Sequence, residues 1–171
     1  MNKLKRIYHI ADIHIRNLKR HQEYREVFDR LFDDIKSKGV DDSLIYLAGD
    51  LAHAKLEMSP ELVNEINYFL KRCCELAPTI LIAGNHDCNL NNVGRLDVLS
   101  PIVDALSLSN LTYLRDTQTY TYGGVRFDVF SIFDDKENWK FKDLSSDTTN
   151  IALFHGPILD ATTDVGFTIS S

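Results

Sequence analysis

The sequence predicts an α/β layered fold, and three observations predict it. Short apolar runs rich in Ile, Leu and Tyr alternate with stripes at helical spacing, each run stops at a Gly or polar residue, and a hairpin signal opens the second half. The first run, residues 6 to 11, reads as a buried strand. A stripe of Tyr24, Val27, Phe28, Leu31, Phe32 and Ile35 follows at helical spacing and ends at Gly39. Residues 43 to 48 read as the second buried strand. Ser59 is a good helix N-cap with Pro60 at the first helical position, and the stripe Leu62, Val63, Ile66, Phe69, Leu70 and Cys73 closes at Pro78. Residues 79 to 83 make the third strand, and the order strand, helix, strand, helix, strand calls for parallel pairing through right-handed crossovers. A shorter helix is expected within residues 95 to 107. Residues 118 to 122 and 125 to 133 then flank Gly123-Gly124 as an antiparallel hairpin, and residues 150 to 154 form one more apolar strand. With no internal repeat and no linker in 171 residues, a single domain is expected.

Composition narrows the class. The chain is 44% hydrophobic and 26% charged with 8 Gly and 4 Pro, which excludes collagen-like, disordered and low-complexity proteins. A net charge of −6 argues against holding nucleic acid mainly through a basic surface, and the charge is uneven: residues 1 to 40 carry +4 and the remainder −10. An acidic body that handles phosphate needs a cation. The basic start is followed by an apolar stretch interrupted at His9 and Asp12, and no apolar run reaches 18 residues, so neither a signal peptide nor a membrane span is expected. Cys73, Cys74 and Cys88 make neither a disulfide framework nor a CxxC pair. An intracellular protein without a membrane partner follows as the expectation.

Each apolar run leads into residues that can bind a metal. Asp12 and His14 follow the first strand, Gly49-Asp50 the second, Gly84-Asn85-His86-Asp87 the third, and His155-Gly156-Pro157 the last. In open α/β sheets ligands bind beyond the carboxyl ends of the strands, so these groups should converge. Asp12 and His14, two apart in extended chain, are expected to share a face. Two carboxylates, a carboxamide and imidazoles without a thiolate suit manganese, with magnesium, iron, zinc or nickel as further candidates. The donors are too many for one catalytic ion. With Asp50 bridging, one ion would take Asp12 and His14 and a second Asn85 and His155; ions roughly 3.5 to 4 Å apart can hold a hydroxide and clamp a phosphate.

The set of DIH at 12 to 14, GD at 49 to 50, GNHD at 84 to 87 and HG at 155 to 156 resembles the calcineurin-like metallophosphoesterase superfamily. The resemblance implies a layered sandwich of two β-sheets flanked by helices, with Asp12, His14, Asp50, Asn85 and His155 as metal ligands. It also implies that His86 contacts the scissile phosphate and assists the leaving group, and that Asp87 orients His86. Within the superfamily the chain is most similar to SbcD-type DNA repair nucleases, especially short phage or viral relatives. That likeness rests on His53 three residues after Asp50, on Arg95-Leu96 and Ser100-Pro101 after GNHD, and on Ser59-Pro60-Glu61 opening the second helix. It implies an exonuclease or endonuclease acting on DNA, with His53 positioning the phosphate, and it carries an SbcC-like ATPase and a second copy of the chain as partners. The same ligands would serve a cyclic-nucleotide or other small phosphodiesterase, or a metal-site scaffold kept for protein binding. One departure stands out: the family's later Gly-His-x-His motif is missing from a chain whose six histidines are at 9, 14, 21, 53, 86 and 155. The expectation is a domain truncated before its last ligands.

Other residues carry weaker signals. His9, inside the first strand, reads as a core or sheet-face histidine. Arg16, Lys19, Arg20 and Arg95 are candidate DNA contacts, while Lys19, Arg20 and His21 also read as a solvated helix start. Trp139 and Phe141 among Lys136, Lys140 and Lys142 either stack on a base or pin a loop. Cys88 is expected to pack.

Overall fold

The computed structural model describes residues 3–54, 57–140, 147–156, 158, 161, 162, 165, 166 and 168. Its first sheet is formed by β1 (Arg6–Ile10), β2 (Ser43–Ala48), β3 (Thr79–Ile82) and β4 (Leu111–Tyr113), all parallel and in the spatial order β1-β2-β3-β4. Three helices make the crossovers: α1 (His21–Lys38), α2 (Pro60–Leu76) and α3 (Leu99–Leu106). Strands laid down in sequence order by crossovers of one hand place every crossover on the same face. The other face is therefore open to a second layer. It is filled by β5 (Gln118–Tyr122), β6 (Val125–Val129) and β7 (Thr149–Leu153), with β5 antiparallel and β7 parallel to β6.

Alternation along the central strands divides the core accordingly. Ile45, Leu47 and Leu81 pack with Phe28, Phe32, Ile66, Phe69 and Leu70 of the helices, whereas Leu44, Tyr46, Ile80 and Ile82 pack with Val125, Phe127, Val129 and Leu153 of the second sheet. β2 and β3, sandwiched between layers, are buried at every position. Among the described residues β1 is an edge strand, flanked by β2 on one side, and it is partly exposed, contrary to the expectation of a buried run.

Local signals set the helix ends. Ser59 Oγ accepts the N–H of Leu62 at 3.1 Å with Pro60 at the first helical position, a cap worth about 1 kcal/mol. Asp97 Oδ1 accepts the N–H groups of Leu99 and Ser100, which leaves Pro101 in the first turn of α3, where its missing donor costs nothing. Arg25 of α1 forks onto Glu65 of α2 at 2.5 and 2.9 Å and lies 3.6 Å over the Tyr68 ring, fixing the two helices side by side. The hairpin turn is at Gly123-Gly124, both with positive φ, and Gly123 lies against the Leu4 backbone, where a side chain would not fit.

Two further sequence expectations change, and one strand was not expected. The 125 to 133 run ends as a strand at Val129. β4, three residues long, carries too little pattern to be read from sequence. Val27, placed in the core stripe, is 49% exposed, because α1 turns its Phe28 and Phe32 side inward and leaves position 27 at the rim. Among the described residues no helix is long and apolar enough to cross a membrane.

Candidate metal centre at the strand ends

The loops leaving β1 and β2 stay paired beyond the strands, which carries their polar residues to one place. Asp12 N–H bonds Gly49 C=O at 3.2 Å, His14 N–H bonds Asp50 C=O at 2.9 Å, and His53 N–H bonds Ile15 C=O at 3.0 Å. Asp12, His14 and Asp50 are all left-handed, with φ of 56°, 49° and 56°. Asp12 and His14 thus share a face through two tight turns and not, as expected, through extended chain. Close approach also explains the glycines. A Cβ on Gly84 would lie 2.1 Å from Asp50 Oδ1, and one on Gly49, itself at φ 90°, would lie 2.7 Å from the Gly84 nitrogen.

Asp50 is the hub. Its carboxylate is 2% exposed, its Oδ2 faces His14 Nε2 at 3.5 Å and His155 Nε2 at 3.3 Å, and its Oδ1 accepts the His86 N–H at 2.8 Å. His14 Nε2 is also 3.7 Å from Asp12 Oδ1. Two groups of potential donors, Asp12 with Asp50 and His155, and His14 with His53 and His86, each lie within 4.8 Å. Asn85 lines the same open cavity, of about 520 Å³, as Asp12, His14, Asp50, His86 and His155. The structure therefore brings together the sequence-selected donors, and it seats His155 with Asp12 as well as with Asp50.

The arrangement fits divalent ions. His155 Nδ1 donates to Ala48 C=O at 2.5 Å, which aims Nε2 at Asp50, the backbone-anchored orientation usual for a ligating imidazole. His14 Nδ1 is buried with no partner among the described residues, and its Nε2 stands off both carboxylates at distances too long for a good hydrogen bond. Such a crowd of acidic oxygens and imidazoles invites a cation. Cys88 Sγ packs toward Gly84 C=O at 3.6 Å, as expected, and adds no thiolate.

Charge in the cluster is strongly coupled. The hydrogen bond to Asp50 pushes His155 up to about 9 against the opposing effect of burial, with Ala48 C=O, Asp50 and Asp12 adding to the rise. Burial opposes Asp50, yet His155 and the His86 N–H hold its carboxyl below the ordinary range. Desolvation, with Arg16, His14 and His86 nearby, lowers His53. A histidine raised on folding contributes stability that is present below its unfolded value near 6.5 and is lost as pH climbs through about 9. The metal-free chain is therefore expected to lose about 2–3 kcal/mol between pH 6.5 and 9.5 from this source. Urea melts in EDTA at the two pH values test this, and His155→Gln should flatten the dependence.

His86 and Asp87 part company. His86 Nδ1 donates to His53 C=O at 2.8 Å, and the two rings stack at 5.9 Å and 19°. The expectation that Asp87 orients the His86 ring meets a different geometry. The Asp87 carboxylate is fully buried; Oδ2 accepts the N–H of Asp50 at 2.7 Å and of Gly84 at 3.0 Å, and Oδ1 that of Ala52 at 3.0 Å. It thus ties the ends of β2 and β3 together. Desolvation pushes it up to about 6 while the Ala52 and Gly84 N–H groups pull the other way and the Asp50 charge adds to the rise.

The remaining residues separate by location. Arg16 and Arg20 line a cavity beside the histidines, Arg20 being paired with Glu23. Lys19 is exposed at the start of α1. Arg95 lies instead in a cavity between α2 and α3 with Met58 and Ile102, away from the donors. Trp139 packs against Phe130 and Phe154 and donates to Ser131 C=O at 3.1 Å, so it pins its loop. Phe141, Lys142 and Pro157 lie outside the described residues. His9 was expected to be structural, and it stacks on Tyr46 at 4.9 Å while lining the donor cavity. The alternation that puts Ile7 on the second-sheet side of β1 signals that placement.

A buried aspartate faced by two histidines stands at the carboxyl ends of parallel strands in a two-sheet α/β sandwich. A family model for calcineurin-like phosphoesterases matches residues 5–169, and the chain belongs to that family. It is 45% identical, over 179 positions, to an uncharacterised protein, R555, of Acanthamoeba polyphaga mimivirus. The match covers 98% of this chain and 13% of the mimivirus protein.

Proposed function

We propose that the chain is a two-metal phosphodiesterase of the SbcD type that cleaves DNA, with manganese as the working ion. The observation that supports it most is Asp50 Oδ2 between His14 and His155, with the stacked His53 and His86 alongside in one open cleft. Divalent ions held by Asp12, His14, Asp50, Asn85 and His155 would supply charge neutralisation for the phosphate and an activated water. The residues do the rest. Donation from His86 Nδ1 to His53 C=O leaves Nε2 as the ring atom open to the departing 3′-oxygen, and a ring that also carries a proton on Nε2 would give that proton to it. His53, lowered by desolvation with Arg16 nearby, meets a non-bridging oxygen as a hydrogen-bonding ring. Arg16, Lys19 and Arg20 then hold the strand near the cleft, so no broadly basic face is needed.

The net charge of −6 favours a second reading, a small-molecule phosphodiesterase such as one for cyclic nucleotides. One assay separates them: the chain is given linear duplex DNA, single-stranded DNA, a cyclic nucleotide and an aryl phosphodiester, with manganese, magnesium, zinc or EDTA. Manganese-dependent cutting of DNA that drops at least about 100-fold in His86→Ala is expected. Hydrolysis of the small esters without cutting of DNA would favour the second reading. No turnover with any ion would remove both.

A further inference from the structure

The donor cleft does not stand alone. His14, His53 and His86 also form one wall of a second cavity, of about 590 Å³, whose other side is made by Arg16, Arg20, Glu23, Tyr24 and Val27. A phosphate over the donors would thus have this neighbouring space within reach of one of its ester substituents. Its walls have a definite chemistry. Val27 is half exposed on a helix that buries Phe28, Phe32 and Ile35, and it gives the cavity an apolar face. The Tyr24 ring is held in place because its hydroxyl donates to His14 C=O at 2.7 Å. Of the two cations, Arg20 is clamped onto Glu23, whereas the Arg16 guanidinium has no hydrogen bond or ion pair among the described residues. The loop that carries them bends through left-handed conformations at Leu18 and Arg20, with φ of 52° and 60°, a strained route for two residues that are not glycine.

An apolar wall with one fixed aromatic ring and an unengaged guanidinium suits a base, its sugar and the next phosphate. We propose that this cavity is a subsite for the nucleoside next to the scissile phosphate, taken up with its base unstacked. Arg16 meets the phosphate beyond it. The site accordingly prefers single-stranded chains with at least two internucleotide phosphates. This rests on the phosphodiesterase reading and adds to it which polynucleotide ends enter.

The test compares a dinucleoside monophosphate with a trinucleoside diphosphate under manganese. The wild-type kcat/KM is expected to be higher for the longer substrate. In Arg16→Ala the long-to-short ratio falls about tenfold, and on single-stranded oligonucleotides the salt slope of log(kcat/KM) flattens by about 0.7, the value for one lost phosphate contact. Val27→Glu, which sets a carboxylate in the apolar wall, lowers the same ratio. A merely structural defect scales both substrates alike and leaves the ratio unmoved, and that result would overturn the subsite, as would a wild type without the length increment. If the wild type cleaves neither substrate with any divalent ion, the phosphodiesterase reading fails and the subsite with it.

Discussion

Asp50→Asn is expected to abolish divalent-ion binding at the cleft and to lower phosphodiester hydrolysis at least about 10³-fold, with the fold intact. The substitution is chosen for what it keeps. Asparagine tolerates the left-handed backbone at position 50, and its amide oxygen can still accept the His86 N–H that Asp50 Oδ1 takes at 2.8 Å. It removes the charge from the one oxygen that faces both His14 and His155. Without that charge His155 loses the main cause of its rise to about 9 and should titrate closer to 6.5, a shift visible by NMR in the metal-free protein. Calorimetric titration with manganese, the hydrolysis rate and the melting temperature together decide the outcome. Manganese binding within fivefold of wild type in a folded variant would rule out Asp50 as the shared ligand.

Much of this site was legible because chemistry and topology coincide in the sequence. In β2 and β3 every position is buried, so the apolar run ends where the core ends, and the next polar residue necessarily stands at the crevice. Asp50 and Asn85 stood out for that reason, and His155 because it closes the 150 to 154 run. The route of the backbone did not. Asp12 and His14 adopt left-handed turns, and neither residue type announces such a turn as a glycine would. Nor could the sequence separate Val27 from Phe28, since at helical spacing both belong to one stripe until the second helix docks its Phe69 against Phe28. β4 is a three-residue strand whose pairing with β3 comes from its position after α3 more than from its own pattern. The contacts of Asp87 were the least legible of all: its partners are backbone N–H groups, which have no residue identity to read.

Those contacts set the second large effect. Asp87→Ala is expected to destabilise the protein by about 4 kcal/mol, because three buried N–H groups, of Asp50, Ala52 and Gly84, lose their acceptor together. At about 2–4 °C per kcal/mol for a domain of this size, the melting temperature should fall by about 10 °C. Asp87→Asn retains one oxygen, able to serve the two N–H groups now on Oδ2, and should lose about half as much. The contrast also tests the inherited view of Asp87 as a partner of the His86 ring. If Asp87 acts by clamping the ends of β2 and β3, stability falls in the order wild type, Asn, Ala, while the pH–rate profile of the folded Asn variant keeps its shape. If it acts through the His86 ring, the limb of that profile assigned to His86→Ala moves and stability changes little. The geometry favours the clamp, since the imidazole has already given its Nδ1–H to His53 C=O at 2.8 Å, and both carboxylate oxygens are occupied by backbone. A buried acid that holds three strand-end N–H groups keeps Asp50 and Asn85 at their separation, so its loss should weaken manganese binding even where the variant still folds.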